Sequence, residues 1–197
     1  MNPQTFIFFG IVGSGKGTQV KLLQEYLSKK DTRAQVYVSP GAEYRELIKS
    51  GNYTGKLVEK TIVHGHLQPD FLTTSIVTNI LIREMTGEKH LFIDGYPRTI
   101  VQSENLEEMM DFYQRKADKI KIIYLELSRE VALERNLKRG RHDDTPAGLN
   151  KRFDEYEKNV VPSMNYFKGR EGYELFAING EQPVEAVRRD ILESLKL

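Results

Sequence analysis

Nine consecutive residues, Gly10-Ile11-Val12-Gly13-Ser14-Gly15-Lys16-Gly17-Thr18, constrain this chain more than any other feature. Residues 5–9 (TFIFF) enter the run as an apolar, aromatic stretch that reads as a buried strand. Lys16 to Ser28 leave it with Val20, Leu22, Leu23 and Leu27 at helical spacing. A strand that passes through a glycine-rich turn straight into a helix aims several backbone N–H groups at one point. The partial positive charge of the helix terminus lies behind that point. Lys16 adds a full charge, and the whole suits a phosphate group. An ordinary glycine turn offers the same composition, but five specified residues at roughly 7% each coincide in about one window per million.

The rest of the chain repeats the alternation. Strand patterns recur at 34–38 (AQVYV), 90–94 (HLFID), 120–126 (IKIIYLE) and 174–178 (ELFAI). Helical patterns occupy 42–50, 54–65, 70–85, 99–117, 129–138, 146–168 and 183–195, and Thr145-Pro146 is a strong helix start. Strands separated by helices pair in parallel through crossovers. The expected fold class is therefore α/β, a P-loop doubly wound parallel sheet of about five strands with helices on both faces. Three consecutive helices between the second and third strands exceed the need of one crossover. The surplus is expected to lie beside the carboxyl ends of the strands, where open α/β sheets bind ligands.

Composition removes several function classes. The chain has 197 residues, 39% hydrophobic, with 29 Lys and Arg against 28 Asp and Glu and a net charge of +1. That is enough for one domain with a sizeable core, spanning 1–197, and argues against disorder. Balanced charge gives no support to a nucleic-acid or membrane-surface role. No apolar run approaches the roughly 20 residues of a membrane span. Met1 to Phe9 lack the features of a secretory signal. The absence of cysteine excludes disulfides, thiolate zinc sites and a cysteine nucleophile. A soluble cytoplasmic monomer is expected.

Charge is concentrated locally all the same. Arg135, Arg139, Arg141 and Arg152 fall within a short stretch, and Arg135 and Arg139 share a helix face. A solvated basic helix end explains these residues taken alone. Beside a phosphate loop they form a set of fixed cations able to stabilise the charge of a phosphoryl group in transfer. Asp94 ends a buried strand, where a carboxylate is costly without a cation or hydrogen bonds; a turn carboxylate is the plainer alternative. His64, His66, His90 and His142 show no metal-ligand spacing.

The run Gly15-Lys16-Gly17-Thr18-Gln19 resembles the adenylate kinase family, whose loop likewise carries glycine directly after the lysine and a threonine one position later. Val12 departs from the family's usual proline. The resemblance extends over nearly the whole chain. Leu91-Phe92-Ile93-Asp94-Gly95-Tyr96-Pro97-Arg98-Thr99 is similar to a second family signature, and Gly65-His66-Leu67-Gln68-Pro69-Asp70 to its acceptor-base turn. Gly41 and Arg45 match the start of the monophosphate-binding insertion, expected at about 40–69, whereas Pro40 and Ala42 do not. Gln68 stands where the family has valine and Gln102 where it has the glutamine that reads adenine.

The resemblance implies an ATP:nucleoside monophosphate phosphotransferase, most simply ATP + AMP ⇌ 2 ADP with Mg²⁺ and without zinc. The implied ATP-binding residues are Gly13, Ser14, Gly15, Lys16, Gly17, Thr18, Arg135, Arg139 and Gln182. The implied acceptor-binding residues are Gly41, Arg45, Leu67, Gln68, Arg98, Gln102, Arg141 and Arg152. Lys16, Arg98, Arg139, Arg141 and Arg152 would stabilise the transferring group, and Asp94 would hold the metal through water. The lid, expected at about 139–145, is short: Gly140, Arg141 and His142 alone separate Arg139 from Asp143. Two other readings stay open, a UMP/CMP or deoxynucleoside monophosphate kinase and a nucleotide-binding sensor with weak catalysis.

Overall fold

The computed structural model describes residues 2–140 and 145–197. Its centre is a five-stranded parallel sheet built from β1 (Thr5–Gly10), β2 (Gln35–Val38), β3 (His90–Asp94), β4 (Ile120–Glu126) and β5 (Tyr173–Asn179). The order across the sheet is β2-β3-β1-β4-β5, with every pairing parallel. The short apolar runs form these strands because each is covered on both sides, as the unbroken burial of β1 shows.

One face packs Phe6, Phe8, Phe92, Ile123 and Leu125 against α1 (Lys16–Lys30) and α9 (Val184–Leu195), through Leu23, Leu27, Val187 and Ile191. The other packs Ile7, Val36, Leu91, Ile93 and Ile122 against α4 (Asp70–Glu84) and α5 (Ile100–Phe112), through Val77, Leu81, Leu106 and Met110. Helices therefore lie on both faces, as expected of a doubly wound sheet. Of the three helices after β2, α4 is the crossover that covers the sheet. The surplus is the pair α2 (Pro40–Lys49) and α3 (Tyr53–Ile62). Ser50, Gly51 and Asn52 separate them, and Asn52 caps α3 by accepting the Gly55 N–H at 2.7 Å.

Two elements differ from the pattern. The helix expected over 99–117 ends at Phe112, because Gln114 takes a left-handed conformation with φ of 54°. The chain then turns so that the Arg115 guanidinium can reach inward to Thr5 Oγ1 (2.9 Å) and the Gln4 carbonyl (3.0 Å). The helix expected over 146–168 comprises α7 (Pro146–Glu155), a π-helical turn (Tyr156–Val160) and α8 (Val161–Asn165) in unbroken succession. Beside them, α6 (Arg129–Arg139) meets α7 over a small third core of Ile11, Ala132, Leu149 and Phe153.

Candidate active site

The strand register sets the site. Phe8 of β1 pairs with Asp94 of β3, so the loop that leaves β1 and the carboxylate that ends β3 emerge side by side. Gly10, Gly13 and Gly15 all adopt positive φ, and α1 begins at Lys16 with no side-chain cap and no acidic residue in its first turn. The amides of that turn are therefore left without a side-chain cap or an acidic neighbour within the turn itself. Gly13 is required twice over: its φ is 90°, and a Cβ there would lie 2.4 Å from the Asn136 amide nitrogen.

A cleft of about 840 Å³ opens over this loop, within the usual size for a small-molecule site. Among the described residues its walls carry seven Lys and Arg side chains (Lys16, Lys21, Arg45, Arg98, Arg135, Arg139, Arg152) against two carboxylates, Asp94 and Glu155. A chain of almost zero net charge has thus gathered a strong local excess of cations at one place. The Lys16 ammonium donates to the carbonyls of Gly10 (2.6 Å) and Ile11 (3.1 Å) and to Ser14 Oγ (3.4 Å). Desolvation in the cleft lowers its pKa to about 8; Arg98 and Arg139 push the same way, and Asp94 partly opposes them. The Arg98 guanidinium is lowered in the same sense, chiefly by desolvation.

One stretch of the cleft lining is made by Gly41, Arg45, Gly65, His66, Leu67, Pro97 and Arg98. Arg98 is aimed by its own turn, with Nε donating to the Gly95 carbonyl at 2.9 Å. Gln102 is almost fully buried and bonded at both ends of its amide: Oε1 accepts the Arg98 backbone N–H, and Nε2 donates to Asp70 Oδ1, each at 2.8 Å. Thr99 Oγ1 donates to the same Asp70 oxygen at 2.9 Å. In this arrangement Gln102 fixes the backbone that carries Arg98. Gln68 is likewise buried, with its amide on Thr61 Oγ1 (2.7 and 2.9 Å), and it lies behind Leu67 outside the cleft lining.

Beyond the end of β5, Arg135 donates to the Gly180 carbonyl at 2.8 Å. A second hollow of about 330 Å³, lined by Gly13, Gly15, Thr18, Arg135, Gly180 and Gln182, continues from the loop. Gln182 Nε2 donates to Asp190 Oδ2 at 2.7 Å. The tip of the insertion closes onto α7. Gly65 adopts φ of 78°, a Cβ there would stand 2.6 Å from the Gly148 carbonyl, and Arg152 Nη2 reaches the Ile62 carbonyl at 3.5 Å. His66 Nδ1 lies 3.6 Å from Glu155 Oε1 across the same contact.

The structure brings Lys16, Arg45, Arg98, Arg135, Arg139, Arg152 and Asp94 to one cleft. Arg141, His142, Asp143 and Asp144 lie outside the described residues. Sequence reasoning passed over three polar groups here. Tyr37 donates its hydroxyl to Asp94 Oδ2 at 3.2 Å, Asp70 organises the Arg98 turn, and Asn136 joins the loop to Arg139. Asn136 leaves one trace in the sequence: an asparagine four residues after Ala132 and three before Arg139, on the inward face of α6.

A glycine loop that joins the carboxyl end of the central strand of a parallel sheet to a helix, opening on a cation-lined cleft of nucleotide size, defines a P-loop phosphotransferase. The chain belongs to the adenylate kinase family, whose sequence profile, described as Adenylate kinase, matches residues 8–172. It is 31% identical over 189 residues to an adenylate kinase of Prochlorococcus marinus (strain AS9601), covering 96% of this chain and 97% of that one. It is 33% identical over 194 residues to an adenylate kinase of Bifidobacterium longum (strain NCC 2705), covering 96% and 98%. A third, from Synechococcus sp. (strain WH7803), is 32% identical over 192 residues with 98% of both chains covered.

Proposed function

We propose that this adenylate kinase-family chain moves the γ-phosphoryl group of ATP to an α-phosphate oxygen of AMP, giving two ADP. The convergence of Lys16, Arg98, Arg139 and Arg152 on the cleft over the glycine loop carries this reading. The acceptor oxygen is already anionic at neutral pH, so the reaction needs no side-chain base. What it needs is alignment of the two nucleotides and fixed positive charge on oxygens that gain charge in the transition state. The loop amides, Lys16, Arg135 and Arg139 hold the donor; Arg45 and Arg98 hold the acceptor phosphate; Arg152, with Arg141 of the short lid, spans the transferring group. Gly41 and Leu67 shape the acceptor wall. Gln102 acts there by holding the Arg98 turn, and Gln68 by supporting the loop behind Leu67.

The metal fits as a passenger of the nucleotide. Among the described residues no cluster of three or more His, Cys, Asp or Glu is placed to hold an ion, and Gly17 offers no hydroxyl. Asp94 is the carboxylate beside the loop, so it would hold Mg²⁺ through water while the phosphates supply the direct ligands. Bound there, the ion would neutralise phosphate charge. One chain supplies both nucleotide subsites, so the reading requires no second copy.

Phosphoryl transfer from Mg-ATP across AMP, dAMP, GMP, UMP, CMP and dTMP, with a no-acceptor control, tests the proposal. Clear preference for AMP is expected. Preference for a pyrimidine nucleotide, or binding of every acceptor without turnover, would overturn it. Arg98→Ala should lower kcat by about 10²- to 10³-fold, the usual loss for a donor aimed at developing charge.

A further inference from the structure

Asn136 lies in the interior of α6 and is fully buried. Both polar atoms of its side chain are bonded, through three hydrogen bonds. Nδ2 donates to the Val12 carbonyl at 2.9 Å and to the Ala132 carbonyl at 2.7 Å, while Oδ1 accepts from Arg139 Nη2 at 2.6 Å. Asparagine suits a helix interior poorly, and a buried amide is costly unless every polar atom is bonded. Here the position is fully satisfied, and two of its three partners belong to the donor site: the backbone of the phosphate loop and a guanidinium of the cleft wall. The loop presses directly on it, since only a glycine at position 13 leaves room for the amide nitrogen.

Arg139 is the last residue of α6, and its side chain is exposed. A long side chain at a helix end loses rotamer freedom when it engages a ligand, which weakens the contact. We infer that Asn136 is a positioning residue that holds Arg139 in register with the phosphate loop, so that ATP meets both already aligned. The inference rests on the proposed role of Arg139 at the ATP phosphates. The bond to Val12 sets the loop at a fixed distance from α6, and the bond to Arg139 carries that reference to the guanidinium. The charge-assisted bond is the stronger of the two.

A double-mutant cycle separates positioning from mere packing. ATP affinity by calorimetry, kcat and the KM for AMP are measured for the wild type, Asn136→Leu, Arg139→Gln and the double variant, with melting curves for each. Asn136→Leu keeps the branched arrangement of heavy atoms and removes the polar atoms of the amide. It is expected to weaken ATP binding and lower kcat by about tenfold each, to leave the KM for AMP within about twofold, and to have no further effect once Arg139 is glutamine. Asn136→Ala, an excellent helix former, repeats the cycle where the leucine variant does not fold. Wild-type ATP affinity and kcat in the Asn136 variant beside an impaired Arg139→Gln overturn the inference alone. So does an Asn136 effect undiminished in the Arg139→Gln background, which marks a structural role. An Arg139→Gln variant that binds ATP like the wild type overturns the ATP role of Arg139 and this inference together.

Discussion

Lys16 sits where two demands conflict. The site must be dry and cationic to hold phosphates, yet dryness and neighbouring guanidinium groups both disfavour the ammonium, whose pKa falls to about 8. Below that value the charge is present and destabilises the ligand-free protein; the penalty is relieved as pH rises from about 8 toward the ordinary lysine value of 10.5. Bound phosphates favour the ammonium and raise its pKa again, so ATP binding at pH 8 should take up about half a proton at this group. Calorimetry in buffers of different ionisation enthalpy measures that uptake directly. Affinity should be flat through pH 6–7 and fall above pH 8; binding with no proton uptake at pH 8 contradicts the assignment. Gln102 offers a second test at the same scale. Gln102→Leu strips partners from the Arg98 N–H and from Asp70, and should cost about 1–3 kcal/mol of stability in denaturant titration. The glycine loop and the arginines are legible in the sequence because their types are improbable together and their spacing follows a helix. Asn136, Tyr37 and Asp70 are not, because a single polar residue on a helix or strand is ordinary until its neighbours across the fold are known.

Among the elements, the strands and covering helices are readable because each has one period and one environment. The exceptions share a cause: contacts distant in sequence override the local pattern. Helix α5 stops at Phe112 so that Arg115 can reach the start of β1, which no window around residue 112 contains. Equally, the docking of the insertion on α7 joins residues far apart, 62–66 with 148–155. This contact is the element-scale device of the site, because it brings the acceptor wall against the helix that carries Arg152. Gly65→Ala tests it. The new Cβ meets the Gly148 carbonyl at 2.6 Å, and φ of 78° strains any other residue, so the tip must lift off α7. The KM for AMP should rise and kcat fall, by about tenfold in their ratio, the order expected when a catalytic group is displaced by a fraction of an ångström. The melting temperature should change little because the tip is peripheral to the sheet. Kinetics matching the wild type would show that closure does not depend on this contact.

Taken whole, the molecule concentrates its charge and economises on its cover. A net charge of +1 coexists with a cleft that, among the described residues, is lined by seven cations and two carboxylates, so attraction for an anionic nucleotide should be local and little diluted by the rest of the surface. On the proposed reading, the same cations that draw in the donor would stabilise the transition state whichever oxygen attacks, that of AMP or that of water. Exclusion of water then decides between transfer and hydrolysis. Larger lids achieve this with an inserted domain; here Gly140, Arg141 and His142 alone separate Arg139 from Asp143. The remaining cover is the insertion, whose tip reaches α7 through Gly65 and His66. With ATP bound and the acceptor subsite vacant, the short lid and that contact would together have to keep solvent from the γ-phosphate. Slow release of phosphate from Mg-ATP without acceptor is therefore expected, and AMP should suppress it by occupying the space in which water attacks. Gly65→Ala should raise this idle rate even as it lowers transfer, because an uncovered site loses alignment and gains water. A phosphate-release assay with and without AMP reads both effects. Undetectable release from the wild type and the variant alike would mean that exclusion of water does not depend on the contact of the insertion with α7.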